Sequence, residues 1–223
     1  MPKLYIVATP IGNLKDITLR ALHTLEEADL ILCEDTRVTK RLLEHYNIET
    51  PVESYHQHSK LKKINKIIDL LKQGKNLALV SDSGTPGISD PGNKLINHLS
   101  LIIDKLEIIP IPGPSALTAI ASISGFPMDK FIFLGFPPHK TKRKKFFQEV
   151  ADAKYPVILY ESPYRILKTL RELNNSGNFD IVVGRELTKM FETIYRGEIK
   201  DVINQLEKSI IKGEFVIVIN KKL

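Results

Sequence analysis

A single cysteine, Cys33, leaves this chain without an intramolecular disulfide or a cysteine-built zinc cage. No apolar run approaches the roughly 20 residues needed to cross a bilayer. Residues 3–8 already read as a buried strand, which leaves no room for a signal peptide. The cytoplasm is therefore the expected compartment, with no membrane partner. Two nucleotide fingerprints are also missing: Gly-x-Gly-x-x-Gly after the first strand and Gly-x-x-x-x-Gly-Lys-Ser/Thr anywhere. Their absence argues against a dinucleotide oxidoreductase and a P-loop NTPase. No internal period of about 20 to 50 residues is evident, and the only biased tract is a short basic run.

What is present is 223 residues, 43% hydrophobic and 26% charged, the proportions of a soluble globular protein. Net charge is +6 and pI ≈ 9.2, which points to an anionic partner where the cations cluster. Strand-like runs at residues 3–8, 30–33, 51–55, 76–80 and 106–109 alternate with helical stretches at 18–25, 38–46, 61–71 and 92–103. Leu61, Ile64, Ile67, Ile68 and Leu71 mark one face of the third helix, and Gly74 stands where a helix stops. This alternation predicts a parallel, helix-covered sheet. A small-residue helix is expected at 116–124. Beyond it come strands at 131–134, 157–160 and 181–183, helices from 140, 164 and 202, and strands at 191–197 and 214–219 that read as meander partners. The expectation is an α/β protein of two domains, a parallel-sheet N-terminal domain over 1–115 and a mixed-sheet α+β C-terminal domain over 116–223.

The stretch Ser81-Asp-Ser-Gly-Thr-Pro-Gly-Ile-Ser-Asp-Pro-Gly92 organises the first domain. It links a strand to a helix, yet such links usually need two to six residues. Glycines let backbone approach a ligand and prolines fix the bends; Ser89 or Asp90 is placed to cap the next helix, with Pro91 at its first position. In open parallel sheets, ligands bind beyond the C-terminal ends of strands. Those ends carry residues 9–13, 34–37, 81–90 and 112–115, and the second half adds Gly135, Glu161-Ser162 and residues 185–189. One cleft between two domains is the expected location.

Five blocks resemble the ribosomal small-subunit RNA methyltransferase I family (RsmI) of the tetrapyrrole-methylase superfamily. They are Tyr5-Ile-Val-Ala-Thr-Pro-Ile-Gly-Asn-Leu14, Glu34-Asp-Thr-Arg37, the Ser81 to Gly92 loop, Pro112-Gly-Pro-Ser-Ala116 and Arg185-Glu-Leu-Thr-Lys189. They follow the family's order over essentially the whole chain. The resemblance implies a two-domain, tetrapyrrole-methylase-like fold that binds S-adenosylmethionine, commonly as a homodimer. It implies 2′-O-methylation of a cytidine ribose in the decoding region of 16S ribosomal RNA, as naked RNA or in the assembled small subunit. Three departures stand out: Tyr164 where the family has His, His58-Ser59 in place of His-Asn, and an end at Leu223 where many members continue.

The cofactor-binding set implied is Pro10, Gly12, Asn13, Ser81, Asp82, Ser83, Gly84, Thr85, Pro86, Ile88, Ser89, Pro112, Gly113, Ser115, Ala116, Leu134, Gly135 and Glu161. Methyl transfer from a sulfonium needs the 2′-oxygen in line, water excluded and the hydroxyl proton removed. Asp35 is one proton acceptor, with Arg37 on a phosphate; the plain alternative is a helix cap with its surface partner. Glu186 or Lys189 is the other choice of base, against an Arg185-Glu186 structural ion pair. Lys140, Lys142, Arg143, Lys144 and Lys145 place five cations in six residues at a helix start, where the dipole disfavours them. With Arg37 and Arg185 they form the expected RNA-binding set. His56 and His58 find no third ligand in the sequence, so no metal is expected. Two other readings stay open. One is a methylase of the same fold acting on a tetrapyrrole or other small molecule; the other is a non-catalytic RNA- or ribosome-binding module.

Overall fold

The computed structural model describes residues 1–55 and 61–222. The chain divides into two compact units, Met1–Ser115 and Ala116–Leu223.

The first unit holds a five-stranded sheet, parallel throughout: β1 (Lys3–Val7), β2 (Leu30–Cys33), β3 (Val52–Ser54), β4 (Leu77–Leu79) and β5 (Glu107–Ile111), in the order β3-β2-β4-β1-β5. Between them run α1 (Leu19–Glu27), α2 (Thr36–His45), α3 (Leu61–Lys72) and α4 (Gly92–Ile102). Side chains alternate along each strand, so the two faces have separate cores. Leu4, Leu32, Leu77 and Leu79 pack with Ile67 and Leu71 of α3 and Leu95 and Leu99 of α4. Val7, Ile31, Cys33 and Ala78 pack with Ala21 and Leu25 of α1 and Leu43 of α2. Burial on both faces is why β2 and β4 read as unbroken apolar runs. Helix starts are set by side-chain caps: Thr18 Oγ1 accepts the Ala21 N–H at 3.1 Å, and Asp35 Oδ1 accepts the Arg37 N–H at 2.8 Å.

The second unit holds β6 (Ile132–Phe133), β7 (Val157–Glu161), β8 (Phe179–Arg185), β9 (Thr193–Glu198) and β10 (Phe215–Lys221), in the order β6-β7-β10-β8-β9. Its helices are α5 (Ala116–Ile123), α6 (Arg143–Asp152), α7 (Ile166–Asn174) and α8 (Ile199–Glu207). The expected meander pairing of the last two strands does not occur. β10 lies between β7 and β8, antiparallel to both, and β9 pairs with β8 at the edge. The reason is apolarity: Phe215, Val216, Ile217, Val218 and Ile219 are all buried and need cover on both faces, whereas β9 carries exposed Arg196, Gly197 and Glu198. Phe147, Leu159, Leu170, Phe179, Val202 and Ile217 anchor the core under α6, α7 and α8. Ile120 of α5 is fully buried, and a Cβ on Gly184 of β8 would stand 2.9 Å from its Cδ1, so this glycine lets α5 settle on the sheet. Arg196 of β9 donates to the carbonyls of Ile123 and Ser124, closing the C-terminal end of α5.

β6 runs parallel to β7, and β7 and β8 both oppose β10. The C-terminal ends of β6, β7 and β8 therefore share one edge of the second sheet, as those of β1 to β5 share one edge of the first.

Candidate functional site

In the first unit, the loops leaving β1, β2, β4 and β5 are tied to one another. The Thr9 N–H donates to the Gly84 carbonyl at 2.9 Å and the Gly84 N–H returns to the Thr9 carbonyl at 3.1 Å. The buried Thr9 hydroxyl donates to the Ser81 carbonyl at 3.0 Å. Gly84 sits at φ +79°, and a Cβ there would meet Ile11 Cγ2 at 3.3 Å and the Pro114 carbonyl at 3.6 Å. Only glycine takes that conformation without strain while lying this close to its neighbours. Thr85 Oγ1 donates to the Pro114 carbonyl at 3.2 Å, and the Ser81 hydroxyl donates to the Ser83 carbonyl at 2.9 Å. Gly113 lies against the end of β1, where a Cβ would stand 3.0 Å from the Ala8 Cβ.

The far end of the long loop is closed by Asp90. Its carboxylate accepts the Gly87 N–H at 2.8 and 2.9 Å and the Gly92 N–H at 2.8 Å. Asp90 therefore satisfies the first helical N–H of α4, while Ser89 stands exposed at φ 65° and Pro91 precedes the helix rather than opening it. Within this clasped loop Ser81, Gly84 and Pro86 are buried, Thr85 is half-buried, and Asp82, Ser83, Ile88 and Ser89 face outward. Gly12, Asn13, Pro112 and Gly113 are exposed on the neighbouring loops, with Pro10, Ser115 and Ala116 half-buried. Asn13 also accepts the Lys15 N–H at 3.1 Å, shaping the 3₁₀ turn Leu14–Asp16.

Asp82 Oδ1 accepts the Asp35 N–H at 2.9 Å, joining the loops after β4 and β2. The Asp35 carboxylate receives Arg37 Nε at 3.0 Å and Nη2 at 2.5 Å. The side-chain hydrogen bonds from Arg37, followed by its backbone N–H, hold Asp35 down to about 2. In this arrangement Asp35 is a cap and an ion-pair partner, a state with little affinity for a proton. The Arg37 side chain is 84% exposed.

In the second unit the expected residues divide. Glu161 is buried: Oε1 accepts the Ser162 N–H at 2.7 Å and Arg165 Nη2 at 2.7 Å, and Oε2 accepts the Thr169 hydroxyl at 2.6 Å. Its carboxylate is fully engaged within its own unit. Arg143 is engaged in the same way through its guanidinium. It is 5% exposed, with Nε on Glu172 at 2.7 Å, Nη2 on Thr169 at 2.9 Å and Nη1 on the Pro138 carbonyl at 2.6 Å. Lys140, Lys142, Lys144 and Lys145 are exposed. The helix they were expected to open starts only at Arg143, with Lys142 ahead of it at φ 66°. Leu134 and Gly135 are half-buried beyond β6.

Arg185, Glu186 and Lys189 form a clasp with the segment leading into β10. Glu186 Oε1 accepts Lys189 Nζ and the Glu214 N–H, each at 2.9 Å; Lys189 Nζ also reaches Glu214 Oε2 at 2.9 Å. Arg185 Nε donates to the Lys212 carbonyl at 2.8 Å. Gly213, at φ +89°, lies directly beneath the Glu186 side chain, where any Cβ would collide. Burial pushes Glu186 up, but the Glu214 N–H and Lys189 outweigh it and leave the carboxyl below its ordinary value. Burial pulls Lys189 down, and the two carboxylates more than reverse this. The pair is therefore charged at neutral pH, and the structural ion pair of this block runs from Glu186 to Lys189 rather than to Arg185.

Asp90 is one of the two capping candidates read from the sequence, but no signal singled out Arg165 or Thr169 as organisers; the spacing of Glu161, Arg165 and Thr169, each four residues apart, is the one available hint. Among the described residues no group of three or more His, Cys, Asp or Glu side chains is placed to hold a metal ion, and no helix is long and apolar enough to cross a membrane. His56 and His58 lie outside the described residues.

Residues 3–203 match the family model of tetrapyrrole (corrin/porphyrin) methylases. A ribosomal RNA small subunit methyltransferase I of Thermotoga maritima is 44% identical over 223 residues, covering 100% of both chains. The protein of the same name from a Hydrogenobaculum species is 48% identical over 224 residues, covering 99% of this chain and 96% of its own. Among solved structures, cobalt precorrin-4 methyltransferase CbiF, a cobalamin biosynthetic enzyme, superposes with a TM-score of 0.71 at 22% identity, covering 97% of this chain and 94% of its own. The methyltransferase CobJ gives 0.68 at 18% identity, over 99% and 93%. These two likenesses establish the fold.

Proposed function

The chain belongs to the tetrapyrrole (corrin/porphyrin) methylase family, among the ribosomal RNA small subunit methyltransferase I proteins, and on that footing we propose that it methylates the 2′-oxygen of a cytidine ribose in the decoding region of 16S ribosomal RNA. As a member of this family it is a methyltransferase, and S-adenosylmethionine is the methyl donor. The observation that carries the reading is full-length identity to methyltransferases named for small-subunit RNA, combined with an intact clasped loop after β4.

The residues present suit the donor. Gly84 leaves no side chain at the closest approach of three loops, and Asp82 offers an outward carboxylate to an ammonium or ribose hydroxyl. Ser83, Ile88, Ser89, Pro112 and Gly113 complete the exposed surface that would hold it. When bound, S-adenosylmethionine supplies an electrophilic methyl group on a sulfonium. Arg37, long and exposed, is suited to fix an RNA phosphate by paired hydrogen bonds. Turning to that phosphate releases Asp35 from the partner that holds it down, and the freed carboxylate then accepts the 2′-hydroxyl proton. The Glu186–Lys189 clasp orients Arg185 toward RNA rather than serving as base. A cytoplasmic homodimer completes the reading; light scattering should then give about twice the 25.3 kDa of the chain.

The test is methyl transfer from radiolabelled S-adenosylmethionine to purified small subunits lacking their 2′-O-methyl marks, with naked 16S RNA in parallel and the labelled nucleotide mapped. Label on a cytidine ribose is the expected result. Clear donor binding with no label on either substrate would sink the RNA reading and favour a small-molecule acceptor.

A further inference from the structure

Four exposed apolar side chains lie along one edge of the second unit's sheet. That edge is where β6, β7 and β8 end, because all three oppose β10. It carries Phe136 after β6, 50% exposed, and Tyr164 after β7, 95% exposed; Met190 and Phe191 follow β8 at 90% and 68%. Phe136 and Tyr164 follow adjacent strands, and exposed apolar side chains gathered in this way mark interaction sites.

The backbone that carries the first two is held firmly. The Phe136 ring meets Tyr160 edge-on with centroids 5.6 Å apart. Arg165 Nη1 donates to the Pro137 carbonyl at 3.1 Å and Arg143 Nη1 to the Pro138 carbonyl at 2.6 Å. Arg165 is itself anchored by Glu161 at 2.7 Å. One buried network therefore fixes both the loop that carries Phe136 and the turn that carries Tyr164. Exposed His139, Lys140, Lys142, Lys144 and Lys145 follow directly, and no carboxylate occurs between Asp129 and Glu149. A ring beside a run of cations that carries no acid of its own matches the two faces of an unpaired nucleotide. A second copy of the chain would bring the same cations against themselves.

We propose that this edge is a docking surface for unpaired RNA, with bases stacking on Phe136 and Tyr164 and flanking phosphates held by Lys140, Lys142, Lys144 and Lys145. The proposal rests on the RNA-methyltransferase reading and specifies the form of its substrate: a single-stranded segment, since stacking on a protein ring needs a base free of its own helix.

The probe is a short oligoribonucleotide carrying one 2-aminopurine, titrated as single strand and as duplex. The single strand should bind more tightly, with its fluorescence quenched. Phe136→Leu and Tyr164→Leu should each weaken it roughly five- to hundredfold, the range for losing one stacked base, while Tyr164→Phe retains wild-type affinity. Lys140→Ala and Lys142→Ala should each reduce the slope of log Kd against log salt by about 0.7. Unchanged affinity and quenching in the leucine variants would overturn the proposal. So would a dimer-to-monomer shift in sedimentation with RNA binding intact, which would assign the edge to self-association. Methyl transfer by the wild-type protein, run in parallel, separates the two claims. Labelled RNA with unaffected leucine variants removes this surface and leaves the activity; affected binding without label does the reverse.

Discussion

With Arg37 donating to both of its oxygens, Asp35 is held at about 2 and is ionised throughout the physiological range. Arg37→Ala should let it rise toward the roughly 3.9 of an unpaired aspartate, read by carboxyl NMR titration; an unmoved value would mean that the cap alone holds it down. Gly84→Ala tests the loop. Forcing a Cβ into φ +79° at 3.3 Å from Ile11 should lower stability by about 1–2 kcal/mol in thermal melts. Asp82→Ala removes the bond to the Asp35 N–H and should cost about 1 kcal/mol in the melt, while weakening S-adenosylmethionine binding roughly tenfold or more by calorimetry, the worth of one charged hydrogen bond. Residue types at this site were legible in the sequence because glycine, proline and acid in a long strand-to-helix link have few other uses. Partners were not. Arg143 and Lys142 are neighbours in one basic run, yet one is buried on Glu172 and Thr169 and the other is exposed, and composition cannot distinguish them.

Elements were legible where apolarity is periodic, as in α3, or continuous, as in β4, and misread where pairing is long-range. β10 and β9 both read as strands, but nothing local in either says that the later one inserts between β7 and β8. Two side-chain networks now define how these elements are joined. Arg165→Met would leave the buried Glu161 carboxylate without its counter-charge and should cost about 3–5 kcal/mol. The Glu186 clasp has a pH signature. Its folded carboxyl lies below the ordinary 4.5, so its contribution is complete above that value and is lost as pH falls through the folded one. Lys189 lies above its ordinary 10.5 and contributes below that, losing its share as pH rises through the folded value. Thermal midpoints of wild type and Glu186→Gln should therefore differ at pH 7 and converge once pH has fallen below the folded carboxyl's value; a constant gap would place the clasp's worth in packing instead.

At the scale of the molecule, the two units are assembled on different schedules. The first has all five parallel strands in place once β5 ends at Ile111. The second has as its middle strand the segment Phe215–Lys221, so β7 and β8 have no partner between them until then. During synthesis, with N-terminal domains folding first, a nascent chain would carry a finished first unit and an open second one. The bare flanks of β7 and β8, rich in Val and Ile, are then a template for wrong pairing. Loss of even the last several residues of β10 should leave the protein retained by chaperones or degraded rather than merely weakened in activity. The same order offers a safeguard: the surface bearing Phe136, Tyr164 and Lys140 rests on a sheet that closes only once Phe215–Lys221 has been made, so a chain still short of that strand is poorly equipped to occupy the ribosomal RNA of the machine making it.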